Sequence, residues 1–344
     1  MILWYIRRVS DARARRVAFT GAASFLGQNL IGVLEDDARI ERIVAFDVQA
    51  PATAAAKTLY CELDLTRPLA PERMAEVLAD QRIDTIAHLA FLSSPSHASA
   101  WAHELESIGT MHTLTAAEQA GVRKLVLWSQ TVLYGAWPTN PNFLTEKHPL
   151  RARKVEGFFA DKMDAESEAL RFGAHRPGRV VTILRTAPIL GPTVKNYVTR
   201  YLTPRLVPTL MGFDPLWQLL HEVDAVAAFK LAIERDLPGT FNIAGDGVLP
   251  LSTVIKLAGR ATLPLPGPLA APLVRAVWAT RGTGAPAGFL DYLRYVCVAD
   301  TTAAAREMGF RPAHTTREAV LDFASVQRLR DARLLADDDR TTEG

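Results

Sequence analysis

"VAFTGAASFLGQNL", Val17 to Leu30, runs an apolar strand into a turn of small residues and out into a helix. In that setting Gly21 makes the tight turn, Ser24 stands where backbone must approach a ligand, and Gly27 lets helix pack on strand. The helix N-terminus at Phe25 and Leu26 presents N–H groups and the positive end of its dipole, which suits a pyrophosphate. Asp47 ends the next strand, near the ~20-residue offset at which an acid meets a ribose hydroxyl. Its charge would repel a 2′-phosphate, so the expected cofactor is NAD, with NADP second. Ser24 departs from the glycine of the pattern but is small enough to keep the expectation. Asp64 and Leu65, in "LDLT", are expected beside the adenine. Leu89 and Ala90, in "HLAF", are expected along the far edge of the cofactor, with His88 as a packed residue.

Outward from this turn the chain repeats the same alternation. "RIVAFD", "KTLYCEL", "DTIAHLA", "KLVLWSQ" and "RVVTILRT" read as strands, with longer amphipathic stretches between them. Strands alternating with helices predict an α/β fold: a doubly wound parallel sheet of Rossmann type. "WQLLHEVDAVAAFKLAIER" reads as a strand and then a helix capped by Asp224, and "GTFNIAG" as one more strand. The NAD-binding domain is therefore expected over 16–191 plus 216–245. A smaller, mostly helical substrate lobe is expected over 192–215 plus 246–325. A basic tail (1–15) and a polar tail (326–344) flank them.

The totals exclude several classes. The chain has 344 residues and a formal net charge of +2, which gives no electrostatic footprint for nucleic acid. Cys61 and Cys297 lie far apart without metal-ligand spacing, so no metal is expected and a reducing, cytoplasmic setting is. No apolar run reaches the length of a membrane span. The start, "MILWYIRRVSDARARR", is expected to be a loose tail, with a weak membrane contact through Trp4, Tyr5 and the arginines as the alternative.

The residues above, together with "TVLYG" (131–135), "TILRTAPILGP" (182–192), "LLHEVDAVAAF" (219–229), "GTFNIAGDG" (239–247) and "DTTAAAREMGFRP" (300–312), resemble the extended short-chain dehydrogenase/reductases, the NAD-dependent epimerase/dehydratase family. The resemblance spans nearly the whole chain. Within the family it is similar to a bacterial UDP-glucose 4-epimerase-like subgroup whose members do not always keep the active-site residues.

The resemblance implies a tyrosine and a lysine four residues apart on one helix face, and a serine or threonine on the adjacent strand. Lys162 takes the lysine position, with its role on the nicotinamide ribose. The tyrosine position is Phe158, which has no proton to give. The hydroxyl position falls on Gln130, flanked by Ser129 and Thr131, which as strand neighbours point to the opposite face. His221, Glu222 and Tyr197 are the remaining acids to consider, and Tyr134 is expected to pack. Two further positions bear on the substrate. Pro188 stands where the epimerases have an asparagine that contacts the nucleotide sugar. Trp217 stands where an arginine would clamp the diphosphate, and an indole cannot make that contact.

The expected function is that of an NAD-binding, oxidoreductase-like protein with a degenerate site. It would act on or bind an apolar hydroxyl or keto compound rather than a nucleotide sugar. The alternatives are a non-catalytic NAD-binding sensor or partner subunit, and a membrane-associated scaffold. The resemblance also implies a homodimer through helices near 97–120 and 155–173.

Overall fold

The computed structural model describes residues 14–152, 157–280 and 286–332. The N-terminal segment with Trp4 and Tyr5, and the end of the chain from 333, lie outside the described residues.

Seven strands form the main sheet: β1 (Arg15–Thr20), β2 (Ile40–Asp47), β3 (Thr58–Glu62), β4 (Thr85–His88), β5 (Lys124–Gln130), β6 (Val180–Thr186) and β7 (Gly239–Ile243), in the order β7-β6-β5-β4-β1-β2-β3. Every neighbouring pair is parallel. This is the doubly wound Rossmann sheet that the alternation predicts. The winding reverses between β1 and β4, and the crevice at such a switch point, outside the strands' carboxyl ends, is where ligands bind in open α/β sheets.

Helices cover both faces, so the central strands read as continuous apolar runs. On one face α1 (Phe25–Glu35) sets Leu30 and Leu34 against Phe229 and Ile233, in a helix that starts at Glu222. On the other lie α2 (Ala70–Asp80), α3 (Ser99–His103), α4 (Gly109–Gln119) and α5 (Phe158–His175), with Met74, Leu114 and Phe172 in one core. The long helix expected near 97–120 is α3 and α4 joined by a π-helical turn, Glu104–Ile108. Such a turn inserts a residue and re-aims the side chains beside it.

The smaller lobe packs α6 (Tyr197–Leu202) against a parallel pair of short strands, Leu206–Leu210 and Ala261–Leu265. The chain between them passes through α7 (Glu222–Glu234) and β7 of the main sheet, then α8 (Leu251–Leu257). α9 (Gly267–Ala279) and α10 (Thr316–Asp331) follow. Leu202, Val207, Leu219, Val254, Val320 and Phe323 make the lobe's core. Among the described residues no helix is long and apolar enough to cross a membrane.

Three local expectations are corrected. Arg15, assigned to the tail, pairs with Ile40 in the sheet. α10 continues to Asp331, into the segment read as a polar tail, because Gln327 is buried on its inner side. Asp224 is not the cap of α7. The His221 ring accepts the Val223 N–H instead, and the Asp224 carboxylate accepts the Ala313 and His314 N–H groups at 2.8 and 2.9 Å.

Candidate functional site

The β1–α1 turn is built by contacts that leave no room for side chains. Gly21 has φ +69°, and a Cβ there would sit 2.8 Å from the backbone of Ala90. A Cβ on Gly27 would collide with the Gly21 carbonyl oxygen. The crease between β1 and β4 is thus floored by bare backbone, with that of Leu89 and Ala90 directly against Gly21. Ser24 has its own reason to be serine. Its Oγ accepts the Gly27 N–H at 3.1 Å and its hydroxyl donates to the Gly21 carbonyl at 2.6 Å, which caps α1. Phe25 is half-buried and Leu26 buried at the first turn, whose N–H groups have no partner within the helix.

Asp47 ends β2 beside this turn. Its carboxylate accepts the N–H groups of Ala23 and Val48 at 2.9 and 2.8 Å. Asp64 accepts the Thr66 N–H and hydroxyl, and Leu65 packs beside Gly109. These residues fit a dinucleotide: a floor without Cβ atoms, a helix N-terminus, and an acid at the end of β2. His88 is a packed residue. It lies 2.6 Å from the Thr20 hydroxyl and 2.8 Å from that of Thr110, and burial pushes its pKa down to about 3.

Lys162 and Phe158 stand one turn apart on α5, both buried. The Lys162 ammonium lies 3.8 Å from the centre of the Phe158 ring. It also donates to Oε1 of Glu106, on the π-helical turn, at 2.5 Å. The same oxygen accepts the Leu92 N–H, whereas Glu106 Oε2 is buried with no protein partner. Burial pushes the Glu106 carboxyl up and the Lys162 ammonium down, and their mutual attraction opposes both shifts. Glu106 was not singled out in the sequence. An acid on an amphipathic helix looks like part of a solvated face, and only the π turn brings it inward.

The three residues around the expected hydroxyl position diverge. Ser129 donates to Glu166 at 2.7 Å, inside a buried pair with Arg185, and so holds the fold. Thr131 is buried, and its carbonyl oxygen lies 3.6 Å from Cys297 Sγ. Gln130 is buried, and its Oε1 has no protein partner. Of the other acids, His221 caps α7 and stacks on His314, and Glu222 accepts the Thr193 and Val194 N–H groups. Tyr134 packs, donating to Asn242 and accepting from Arg185, both at 2.8 Å. Tyr197 differs from these. Its hydroxyl is buried without a protein partner, its ring centre lies 6.2 Å from that of Phe158, and burial raises its pKa.

A cavity of about 320 Å³ opens beside Tyr197, between the main sheet and the lobe. Its wall includes Pro188, Trp217, Phe289, Tyr292 and Cys297. The two positions that depart from the nucleotide-sugar pattern, Pro188 and Trp217, thus face one cavity. Trp217 is fixed there by an indole N–H bond to the Tyr292 carbonyl at 3.2 Å. Burial pushes the Cys297 thiol up to about 12, so it is an inert wall residue. Among the described residues no cluster of side chains could hold a metal ion.

Residues 17–244 match the NAD dependent epimerase/dehydratase family. The chain belongs to that family. An uncharacterized protein of Mycobacterium tuberculosis is 37% identical over 321 residues, covering 89% of this chain and 82% of that one. A 4-hydroxy-2-methyl-3-oxo-4-farnesyl-3,4-dihydroquinoline-1-oxide ketoreductase of Stigmatella aurantiaca is 29% identical over 236 residues, covering 67% and 68%. Among solved structures, a UDP-glucose 4-epimerase of Thermotoga maritima with UDP-glucose superposes with a TM-score of 0.69 at 18% identity, over 92% of this chain and 99% of that one. At that identity the likeness speaks for the fold alone. NAD is the cofactor of this epimerase/dehydratase family, and the β1–α1 crease has the residues to hold it. Held there by Gly21, Ser24, Gly27 and Asp47, NAD would offer a nicotinamide able to supply or take a hydride.

Proposed function

We propose that this member of the epimerase/dehydratase family binds NAD through Gly21, Ser24, Gly27 and Asp47 and receives an apolar keto or hydroxyl compound in the adjacent cavity. Residue 158 does not supply the proton. The observation that carries this reading is the cavity wall, where Pro188 and Trp217 stand among the rings of Tyr197, Phe289 and Tyr292. The unpartnered Tyr197 hydroxyl lines this cavity and is the group left to donate to the ligand's oxygen. Burial keeps the Tyr197 phenol protonated, so it acts as a donor. The named activity of the Stigmatella relative, a ketoreductase acting on a farnesylated quinoline oxide, agrees with an apolar carbonyl substrate.

A second reading has its own observation. Lys162 is held by Glu106 and covered by the Phe158 ring, an arrangement suited to a site that binds NAD and does no chemistry. Calorimetric titration with NAD⁺, NADH, NADP⁺ and NADPH comes first. The NAD forms should bind at micromolar concentration or tighter, and Asp47→Ala should weaken them about tenfold or more. Absence of binding would end both readings. Turnover of NADH with a panel of apolar ketones, lost in Tyr197→Phe, selects the reductase. Binding without turnover selects the sensor or partner subunit. We also place a homodimer face on α3, α4 and α5, where Trp101, Met111 and Leu170 stand exposed. Leu170→Asp should then yield a monomer in sedimentation velocity.

A further inference from the structure

α9 is the least buried helix of its length in the lobe. Of its thirteen residues only Ala270 is fully buried. Leu269 is 62% exposed and Leu273 47% exposed, and their spacing of four puts them on one face. The C-terminal end of α9 is held down by Trp278, which stacks on His97 at 3.8 Å, and its inner side by Val274 and Ala271 against Leu210 and Leu290. The neighbouring strand pair adds exposed Leu206, Leu263 and, just beyond, Met211 and Phe213. A helix whose outer face is apolar has no stable place in water alone, and a run of such residues marks a surface made to be covered.

Charge says what covers it. The sequence from 247 to 290 contains no aspartate or glutamate, and neither does 200–213. Among the described residues these segments contribute Arg200, Arg205, Lys256, Arg260 and Arg275. Arg260 is engaged by Asp331, whereas Arg200, Arg205 and Arg275 are exposed. The next acid along the chain, Asp214, is turned onto Ser252. An exposed apolar helix face flanked by segments whose own charges are all positive, with Asp331 and Asp214 at their margin, matches the boundary of an anionic bilayer, where leucines enter the acyl region and arginines stay with the headgroups. The face is also continuous with the interior, because Leu265 and Val274 line the cavity.

We propose that α9 and the strand pair Leu206–Leu210/Ala261–Leu265 form a docking face for an anionic lipid bilayer, with the apolar cavity opening at the docked side. Docking requires no particular occupant of the cavity. The test is co-sedimentation of the full-length protein with vesicles of phosphatidylcholine alone and of phosphatidylcholine mixed with phosphatidylglycerol. Wild type should bind the mixed vesicles more tightly. Leu269→Asp/Leu273→Asp should lower that affinity about tenfold or more, with an unchanged melting temperature, because both side chains are exposed. Arg275→Glu should reduce the preference for anionic vesicles about fivefold or more. Failure of wild type to bind either vesicle would overturn the proposal, as would binding that both variants retain. It would equally be overturned if the double variant turned a dimer into a monomer in sedimentation velocity, since the face would then belong to a second copy of the chain.

Discussion

Glu106 determines what Lys162 can do. A lone buried ammonium against a phenylalanine ring would be costly, and the carboxylate 2.5 Å away makes it tolerable. Removing one partner should therefore hurt more than removing both. Glu106→Ala is expected to lose about 3–5 kcal/mol of stability in urea unfolding. The double change Glu106→Leu/Lys162→Met should lose less than that single change. A double variant as damaged as the sum of its singles would show that the two residues act separately. Phe158→Tyr probes the neighbouring position. The ring already fills the space, so the variant should fold and stay within about 1–2 kcal/mol of wild type. If Lys162 is free to serve a phenol there, NADH turnover should rise; with Lys162 still held by Glu106 it should not. Phe158 and Lys162 were legible because a spacing of four on a helix is a pattern. Glu106 was not, because its role depends on a π turn that no residue type announces.

At the scale of elements, β4 and the first βα turn show what local sequence conveys. β4 is buried along its length and ends in His88, whose ring sits between two hydroxyls. The Thr110 hydroxyl donates to the Glu106 carbonyl at 2.5 Å, so the His88 Nε2–H donates to Thr110 and Nδ1 accepts from Thr20. That is a neutral imidazole with both nitrogens satisfied. Its folded pKa, about 3, lies below the ordinary 6.5. The unfolded chain therefore binds the proton first. Stability is complete above pH 6.5 and is lost as pH falls from there toward 3, by up to about 1.4 kcal/mol per pH unit. Comparing urea midpoints at several values between pH 7 and 5, His88→Gln should flatten this slope. A variant with the slope of wild type would assign it to other groups. The turn before α1 makes a second case. Ser24→Ala should cost about 1 kcal/mol as a lost cap, and Ser24→Gly only a few tenths. The glycine pattern marked this turn as a ligand site and made Ser24 look like a departure, when its hydroxyl closes the helix. Asp224 departs from its expected capping role for the opposite reason. An acid at the start of a helix usually caps it, yet this one reaches a distant loop at Ala313 and His314, and sequence order does not reveal loops that meet in space.

The molecule as a whole is sewn together at the seam where its cavity lies. Leu144, following β5, accepts the Asp300 N–H through its carbonyl and donates its own N–H to Val298. Asn242 of β7 donates to the carbonyls of both Leu144 and Asp300. Tyr292 donates to the Val132 carbonyl at 2.6 Å, and Gln218 bonds Ala299 in both directions. The alternation of strands and helices foretold the sheet, but this seam joins residues 58 to 160 positions apart, beyond the reach of any local pattern. Its density means that sheet and lobe should unfold as one unit. A ligand that binds only the folded sheet must then stabilise the lobe as well. At a hundred times its dissociation constant, NAD should add about 2.7 kcal/mol, or roughly 4 °C for a chain of this size. Far-ultraviolet circular dichroism follows both regions, and so does tryptophan emission, which draws on Trp101, Trp128 and Trp137 on the sheet side and on Trp217 and Trp278 in the lobe. The two signals should report one transition and move together when NAD is added. Separate transitions, with only the earlier or only the later shifted by NAD, would mean that the seam does not couple the lobes, and that the cavity can open while the sheet stays folded.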